Sequence, residues 1–339
     1  MKKPKSQDNY VENLGMYYPR NQIEFEKEFA TAKQCQNFLF RLRKMVGDFV
    51  CRECGHAEFW ECQRGNAKYK CKECRTETSL LVGTIFEDSR VSLSIWFRAI
   101  WLFVNDKGGV SATSLERQLG IGSHKTSWTL LHKIRRACVN PDRKKLKGEV
   151  EVDEFSLGTP TKLGRGNHST QKIVCMVAAE KNGRVRMEVT HNKAARTAME
   201  FIERNVEKGS HIFTDNNPTS YIFVRSHGYQ LTQSSTKTHP LPSADMAISQ
   251  FRRFLNLTLQ GAPDKAHMNE YFDEFAFRYN RRSFDRGLIF LRVLEYAVKL
   301  PPTLYREIVK DCSTRRKKKA TLPPLQTPPQ DTANDEYPF

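Results

Sequence analysis

The segment EVEVDEF, residues 149–155, alternates apolar and acidic positions with the period of two that a β-strand imposes. KIVCMVAA (172–179) follows as an unbroken apolar run suited to a buried strand, and RVRMEVT (184–190) alternates again. ARTAMEFIERNV (195–206) changes to helical spacing, and HIFTD (211–215) returns to a short strand. Further helical patterns cover about 243–256 and 264–281. Three strands, a helix, a strand and then more helices predict a mixed α/β domain over residues 148–300.

Upstream, the polar basic linker NPDRKKLKG (140–148) separates this texture from a helical one. SATSLERQLGIGSHKTSWTLLHKIRRAC (111–138) holds two helical patterns broken at Gly120–Ile121–Gly122, which reads as a helix-turn-helix within residues 91–140. His124, Lys125 and Thr126 open the second helix, where such a helix presents side chains to bases and phosphates. His132, Lys133, Arg135 and Arg136 close it with further positive charge. The competing reading is a set of packed helices that never touches DNA. SLSIWFRAIWLFVN (92–105) puts Trp96, Ile100 and Phe103 on one apolar side.

CRECGHAEFWECQRGNAKYKCKEC (51–74) gives two Cys-x2-Cys pairs separated by sixteen residues. Each pair sets two thiolates on a tight knuckle, so Cys51, Cys54, Cys71 and Cys74 predict a closed four-sulfur zinc ribbon. A closed site has no open position for substrate, and the zinc is therefore structural. The helical pattern of residues 22–44, with Ile23, Phe29, Phe38 and Leu42 as its buried stripe, joins the ribbon in a segment over 23–90. Residues 1–22 and the basic, proline-rich 313–339 read as disordered.

The chain has 339 residues, with 55 Lys and Arg against 38 Asp and Glu, a formal charge of +17. That excess suits a polyanionic partner, because phosphate neutralisation releases counterions. The nine cysteines are odd in number, and the first twenty residues lack the apolar core of an export signal. A disulfide scaffold and a membrane protein are both disfavoured, and a cytoplasmic, nucleoid-associated location is expected. Cys35, Cys138 and Cys175 sit in apolar stretches as core thiols.

Asp153 and Asp215 end two of the strands, and neighbouring strands would bring their carboxylates to one sheet edge. Oxygen ligands with open positions suit Mg²⁺ or Mn²⁺, which can activate an attacking oxygen and stabilise a leaving one. A third acid, Asp245, begins SADMAISQFRRFL, and Arg252 lies seven residues on, nearly two helical turns away. One helix face would then carry both a metal ligand and a phosphate clamp. Glu154 alternates to the opposite face from Asp153. In DEFAFRYNRR (273–282), Phe275 and Tyr279 point inward, leaving Arg278, Arg281 and Arg282 for DNA backbone or for structural ion pairs.

With these residues in place, the chain resembles bacterial insertion-sequence transposases that join a zinc-ribbon head to an ISXO-two-like, RNase H-like DDE catalytic domain. The resemblance is carried by FEKEFATAKQC, the ribbon, GTIFEDSRVSLSIWFRAIWL, KGGVSATSLERQLGIGSHKTSWTLLHKIR, EVEVDEF and DEFAFRYNRR. It implies a multidomain protein: ribbon and helix-turn-helix head, then an α/β RNase H-like domain. It implies that Asp153, Asp215 and Asp245 hold catalytic Mg²⁺ or Mn²⁺, with Arg252 beside them. It also implies binding to element terminal inverted repeats and target DNA, strand cleavage and transfer, and a homo-oligomer on DNA. The alternative is a catalytically inactive zinc-ribbon, helix-turn-helix regulator derived from such an enzyme.

Overall fold

In a computed structural model of the chain, residues 16–47, 49–62, 67–139, 143–158, 173–217, 220–234, 241–259 and 265–309 are described. They fall into two compact units, one built from Met1–Arg143 with Phe251–Cys312, the other containing Lys144–Gln250.

The first unit starts with α1 (Gln22–Glu28) and α2 (Ala32–Met45). The helical pattern in the sequence is continuous through both, but Thr31 starts a fresh helix with a reciprocal capping box to Gln34. Phe29, Phe38 and Leu42 are buried as expected, whereas Ile23 is 66% exposed and Phe25 is the residue that α1 buries. Met16 and Tyr18 pack against the core and Pro19 is buried, so this part of the 1–22 segment is ordered. Gly287 permits that path, because a Cβ there would collide with the Pro19 carbonyl. Residues 1–15 and the 313–339 tail lie outside the described residues.

Three short strands, β1 (Phe59–Glu61), β2 (Lys68–Cys71) and β3 (Glu77–Ser79), form an antiparallel sheet around the cysteine pairs. Then come α3 (Leu93–Asn105), α4 (Ala112–Leu119) and α5 (His124–Arg136). Ser92 and Ser111 cap α3 and α4, and Gly120 ends α4 at φ 61°, a left-handed turn that glycine adopts without a Cβ penalty. Trp96, Ile100 and Phe103 of α3 are all buried.

The surprise is what completes this core. Helices α8 (Met268–Asn280) and α9 (Arg286–Lys299) pack with α3 and α5 in the first unit, whereas the sequence pattern extends the α/β domain through residue 300. Phe25 stacks on Trp101 at 4.7 Å, and Phe290 of α9 meets the rings of Phe25, Phe29, Phe97 and Trp101. Each such buried side chain contributes about 1.5–3 kcal/mol by leaving water, so α9 belongs thermodynamically to the head.

The second unit contains a five-stranded sheet made by β4 (Glu149–Leu157), β5 (Ile173–Glu180), β6 (Val185–Val189), β7 (His211–Asp215) and β8 (Gln230–Ser234). The order is β6-β5-β4-β7-β8, with β4, β5 and β6 antiparallel in succession, and β7 and β8 parallel to β4. Helix α6 (Ala195–Asn205) covers one face, burying Ala198, Met199, Phe201 and Ile202 with Val150, Val152, Met176, Ala178 and Ile212. Strand alternation sends Glu151 and Asp153 of β4, and Phe213 and Asp215 of β7, to the other face. That face meets the start of α7 (Pro242–Leu259), the helix along which the chain passes back into the first unit.

Candidate functional site: an acidic sheet edge and a cysteine cluster

The knuckle spacing brings Cys51, Cys54, Cys71 and Cys74 together, with their sulfurs all within 4.8 Å of one another. Cys51 and Cys74 are 3.4 Å apart, and Cys54 and Cys71 are 3.6 Å apart. Tetrahedral zinc with bonds of about 2.3 Å needs sulfur separations near ~3.8 Å, so this donor set fits zinc with small adjustments. The two knuckles repeat one backbone pattern, Cys51 N–H donating to the His56 carbonyl and Cys71 N–H to that of Thr76. Hydrogen bonds with Thr76 pull the Cys74 thiol down to about 6, while burial and the neighbouring sulfurs push that of Cys54 up to about 12, so the crowded sulfurs share their protons unequally. Cys35, Cys138 and Cys175 are buried, in keeping with their apolar surroundings.

In the second unit, β4 and β7 pair in parallel through Glu149↔His211, Val150↔Ile212 and Glu151↔Phe213. Continuing that register two residues sets Asp153 beside Asp215, at matching strand ends and on one face. Asp153 is half-buried, and burial raises its carboxyl to about 6, helped by the charges of Asp215, Asp245 and Glu154 and opposed by the Glu154 N–H that its Oδ1 accepts at 2.7 Å. Asp215 and Asp245 therefore lie within electrostatic reach of Asp153, and the charges acting most strongly on it are all negative. Among the described residues only the cysteines gather three or more ligand atoms within 4.8 Å, so the three aspartates stand further apart than a closed metal cage. Arg252 is exposed, seven residues along α7 from Asp245, in the part of that helix that belongs to the first unit.

Two residues without a sequence signal of their own frame this edge. Glu151 is buried, and its Oε2 accepts from the backbone N–H groups of Ser243 at 2.7 Å and Ala244 at 2.9 Å. The first turn of α7, which carries Asp245, is thus tied to the strand that carries Asp153. On the opposite face Tyr221 is buried with its hydroxyl unbonded, and burial followed by the charges of Glu154, Asp215 and Asp153 raises it far above its usual value. Glu154 shares that face, as alternation requires, and its Oε2 lies 3.5 Å from Lys193.

The residues expected on a DNA-reading helix divide. His124 and Lys125 are exposed and Thr126 is half-exposed at the start of α5, with the Lys125 ammonium 4.1 Å above the Tyr305 ring. Lys133 and Arg135 are not on the surface, which corrects their assignment as DNA contacts. Lys133 is buried and reaches the Ile85 carbonyl, while Arg135 is 1% exposed and ion-paired to Glu274 at 2.8 Å. Arg136 is half-buried. His132 is fully buried with both ring nitrogens unbonded, and burial lowers it to about 2. It lines a cavity of about 870 Å³ with Trp128, His267 and Tyr271. Arg278, considered for DNA backbone, instead donates to the Asp106 and Phe103 carbonyls and pairs with Glu274.

Fold and site together define a cysteine-ribbon protein with an α/β unit whose parallel strand ends carry acids. Residues 145–280 match the family model described as an ISXO2-like transposase domain. Over an alignment 173 residues long that covers 46% of it, the chain is 28% identical to an uncharacterized protein in transposable element ISH50 of Halobacterium salinarum. The chain spans 57% of that relative's length. The two comparisons relate the chain to the transposases of insertion sequences. No helix among the described residues is long and apolar enough to cross a membrane.

Proposed function

We propose that the protein is the DNA transposase of an insertion sequence, binding element ends and catalysing metal-dependent strand cleavage and strand transfer. The observation that carries the reading is the convergence of Asp153 and Asp215 at neighbouring parallel strand ends, within electrostatic range of Asp245. The sheet order, three antiparallel strands extended by two parallel ones beyond the first, supports an RNase H-like domain. Asp153, Asp215 and Asp245 would hold the catalytic Mg²⁺ or Mn²⁺, and the cysteines a structural zinc. When bound, such ions supply Lewis acidity toward the attacking and leaving oxygens of a phosphodiester.

The chain's own groups would do the rest. Asp153, raised to about 6, must release its proton to act as a ligand, so cation binding strengthens as pH rises through that value. Exposed Arg252 would clamp phosphate, and His124, Lys125 and Thr126 would meet the DNA of an element end. Water would cleave a strand at that end, and the freed 3′-hydroxyl would attack target DNA in line. Holding two ends at once calls for an oligomer on DNA.

The test is Mg²⁺- or Mn²⁺-dependent nicking and strand transfer on DNA that carries the element's terminal repeats. Activity in the wild-type chain, lost in Asp153→Asn and Asp215→Asn, is the expected result. Tight end binding with no cutting under either metal would make the protein a regulator instead. Undiminished transfer by Asp245→Ala would move the third ligand elsewhere.

A further inference from the structure

We infer that Glu151 is a positioning residue for the catalytic cation: its bonds to the first turn of α7 set where Asp245 stands relative to Asp153. The inference rests on the proposed reading of the three aspartates as ligands.

Glu151 precedes Asp153 by two residues on β4 and shares its face. One oxygen, Oε2, accepts from two successive backbone donors, Ser243 N at 2.7 Å and Ala244 N at 2.9 Å. These groups open an eighteen-residue helix, whose first N–H groups have no partner within the helix and whose dipole favours an anion at that end. A buried carboxylate is costly unless it is paired in this way, and Glu151 is 7% exposed. Asp245 follows Ala244 directly, so the bonds that satisfy Glu151 also fix the backbone that carries the third acid. Asp153 and Asp245 are then held by one side chain, on a strand and a helix ninety-odd residues apart in sequence. A shift of the helix by a fraction of a turn would take Asp245 out of range.

The experiment is the thermal shift that Mn²⁺ alone produces in the full chain, read as the concentration giving half the maximal shift. Asp245→Asn should raise that midpoint, and Glu151→Gln should raise it by about five- to tenfold. Glu151→Asp keeps the charge but withdraws the oxygen by one methylene, and should be as impaired as Glu151→Gln. The double variant Glu151→Gln/Asp245→Asn should be no worse than Asp245→Asn, because one residue acts through the other. A wild-type midpoint in Glu151→Asp would overturn positioning, leaving Glu151 a source of negative charge. Additive effects in the double variant would overturn it too. If Asp245→Asn leaves the midpoint unchanged, the ligand assignment itself fails. Should Glu151→Gln not fold, Glu151→Asp carries the same comparison.

Discussion

Arg135 Nε donates to Glu274 Oε2 at 2.8 Å, joining two side chains that are 1% and 0% exposed and 139 positions apart in sequence. Arg278 adds a second donor to the same carboxylate at 3.1 Å, and the Arg135 guanidinium lies over the Tyr271 ring at 4.2 Å. The pair fastens α5 to α8 inside the first unit. Its strength lies in what its loss would leave behind, since without Glu274 the Arg135 guanidinium would be a buried charge with no counter-ion. Glu274→Ala should cost about 3–5 kcal/mol of unfolding free energy, read from urea melts. Arg135→Met with Glu274→Leu should recover most of that loss, and failure to do so would give the pair a role beyond fastening.

The cysteine cluster predicts one zinc per chain, measured by elemental analysis. Cys71→Ser should abolish the stoichiometric metal, and a strong chelator should do the same to the wild-type chain. Phe49, Tyr69 and Leu80, which flank the knuckles, belong to the same core as α3 and α9. Metal loss should therefore lower the melting temperature of the whole first unit rather than fray a separate finger. Retained zinc in Cys71→Ser would defeat the four-sulfur assignment.

Asp153 predicts a pH-dependent stability of definite sign. Its folded value of about 6 lies above the 3.8 of an ordinary aspartate, so the folded state prefers the neutral acid. The fold is unpenalised at this site below about pH 4 and loses stability as pH rises toward 6, by on the order of 3 kcal/mol. Asp153→Asn should thus melt higher than wild type at pH 7 without metal, with the difference vanishing near pH 4. Saturating Mn²⁺ should close the gap from the other side, raising the wild type alone.

His132 predicts the opposite dependence. Its folded value near 2 against about 6.5 in an unfolded chain means that only the unfolded state gains a proton between those limits. Stability should fall as pH drops below about 6.5, by up to ~1.4 kcal/mol per pH unit. His132→Phe removes two unbonded ring nitrogens from an aromatic cluster with Trp128, His267 and Tyr271. It should flatten the acid limb of the stability profile at little cost near pH 7. An unchanged acid limb would show that His132 is solvated.

How much of this is legible in the sequence follows from the range of each interaction. The ribbon can be read from spacing alone, because a knuckle is closed within four residues. That Asp153 and Asp215 stand at strand ends can be read from local alternation, whereas the parallel pairing of β4 with β7 that sets them side by side cannot. Glu151 cannot: a glutamate in an alternating strand looks like a solvent-facing residue, and only the arrival of Ser243 and Ala244 shows what it is for. Lys133 and Arg135 mislead for the same reason. A basic helix end looks like a surface until Glu274 is brought to it. The domain limit at 300 fails because nothing in the periodicity of α8 and α9 says which of two cores their apolar faces will join.

The aromatic cluster around Phe290 has a consequence for the order in which the protein can be made. Phe25, Phe29 and Phe97 leave the ribosome early, yet the ring they wait for arrives nearly two hundred residues after Phe97. Domains generally fold as they are synthesised, but here the intervening α/β unit has time to settle while the earlier helices still expose an apolar face. The amino-terminal part of the chain therefore cannot complete its core until Phe290 has been made. During that interval it is the stretch most in need of a chaperone, and the one most open to a protease.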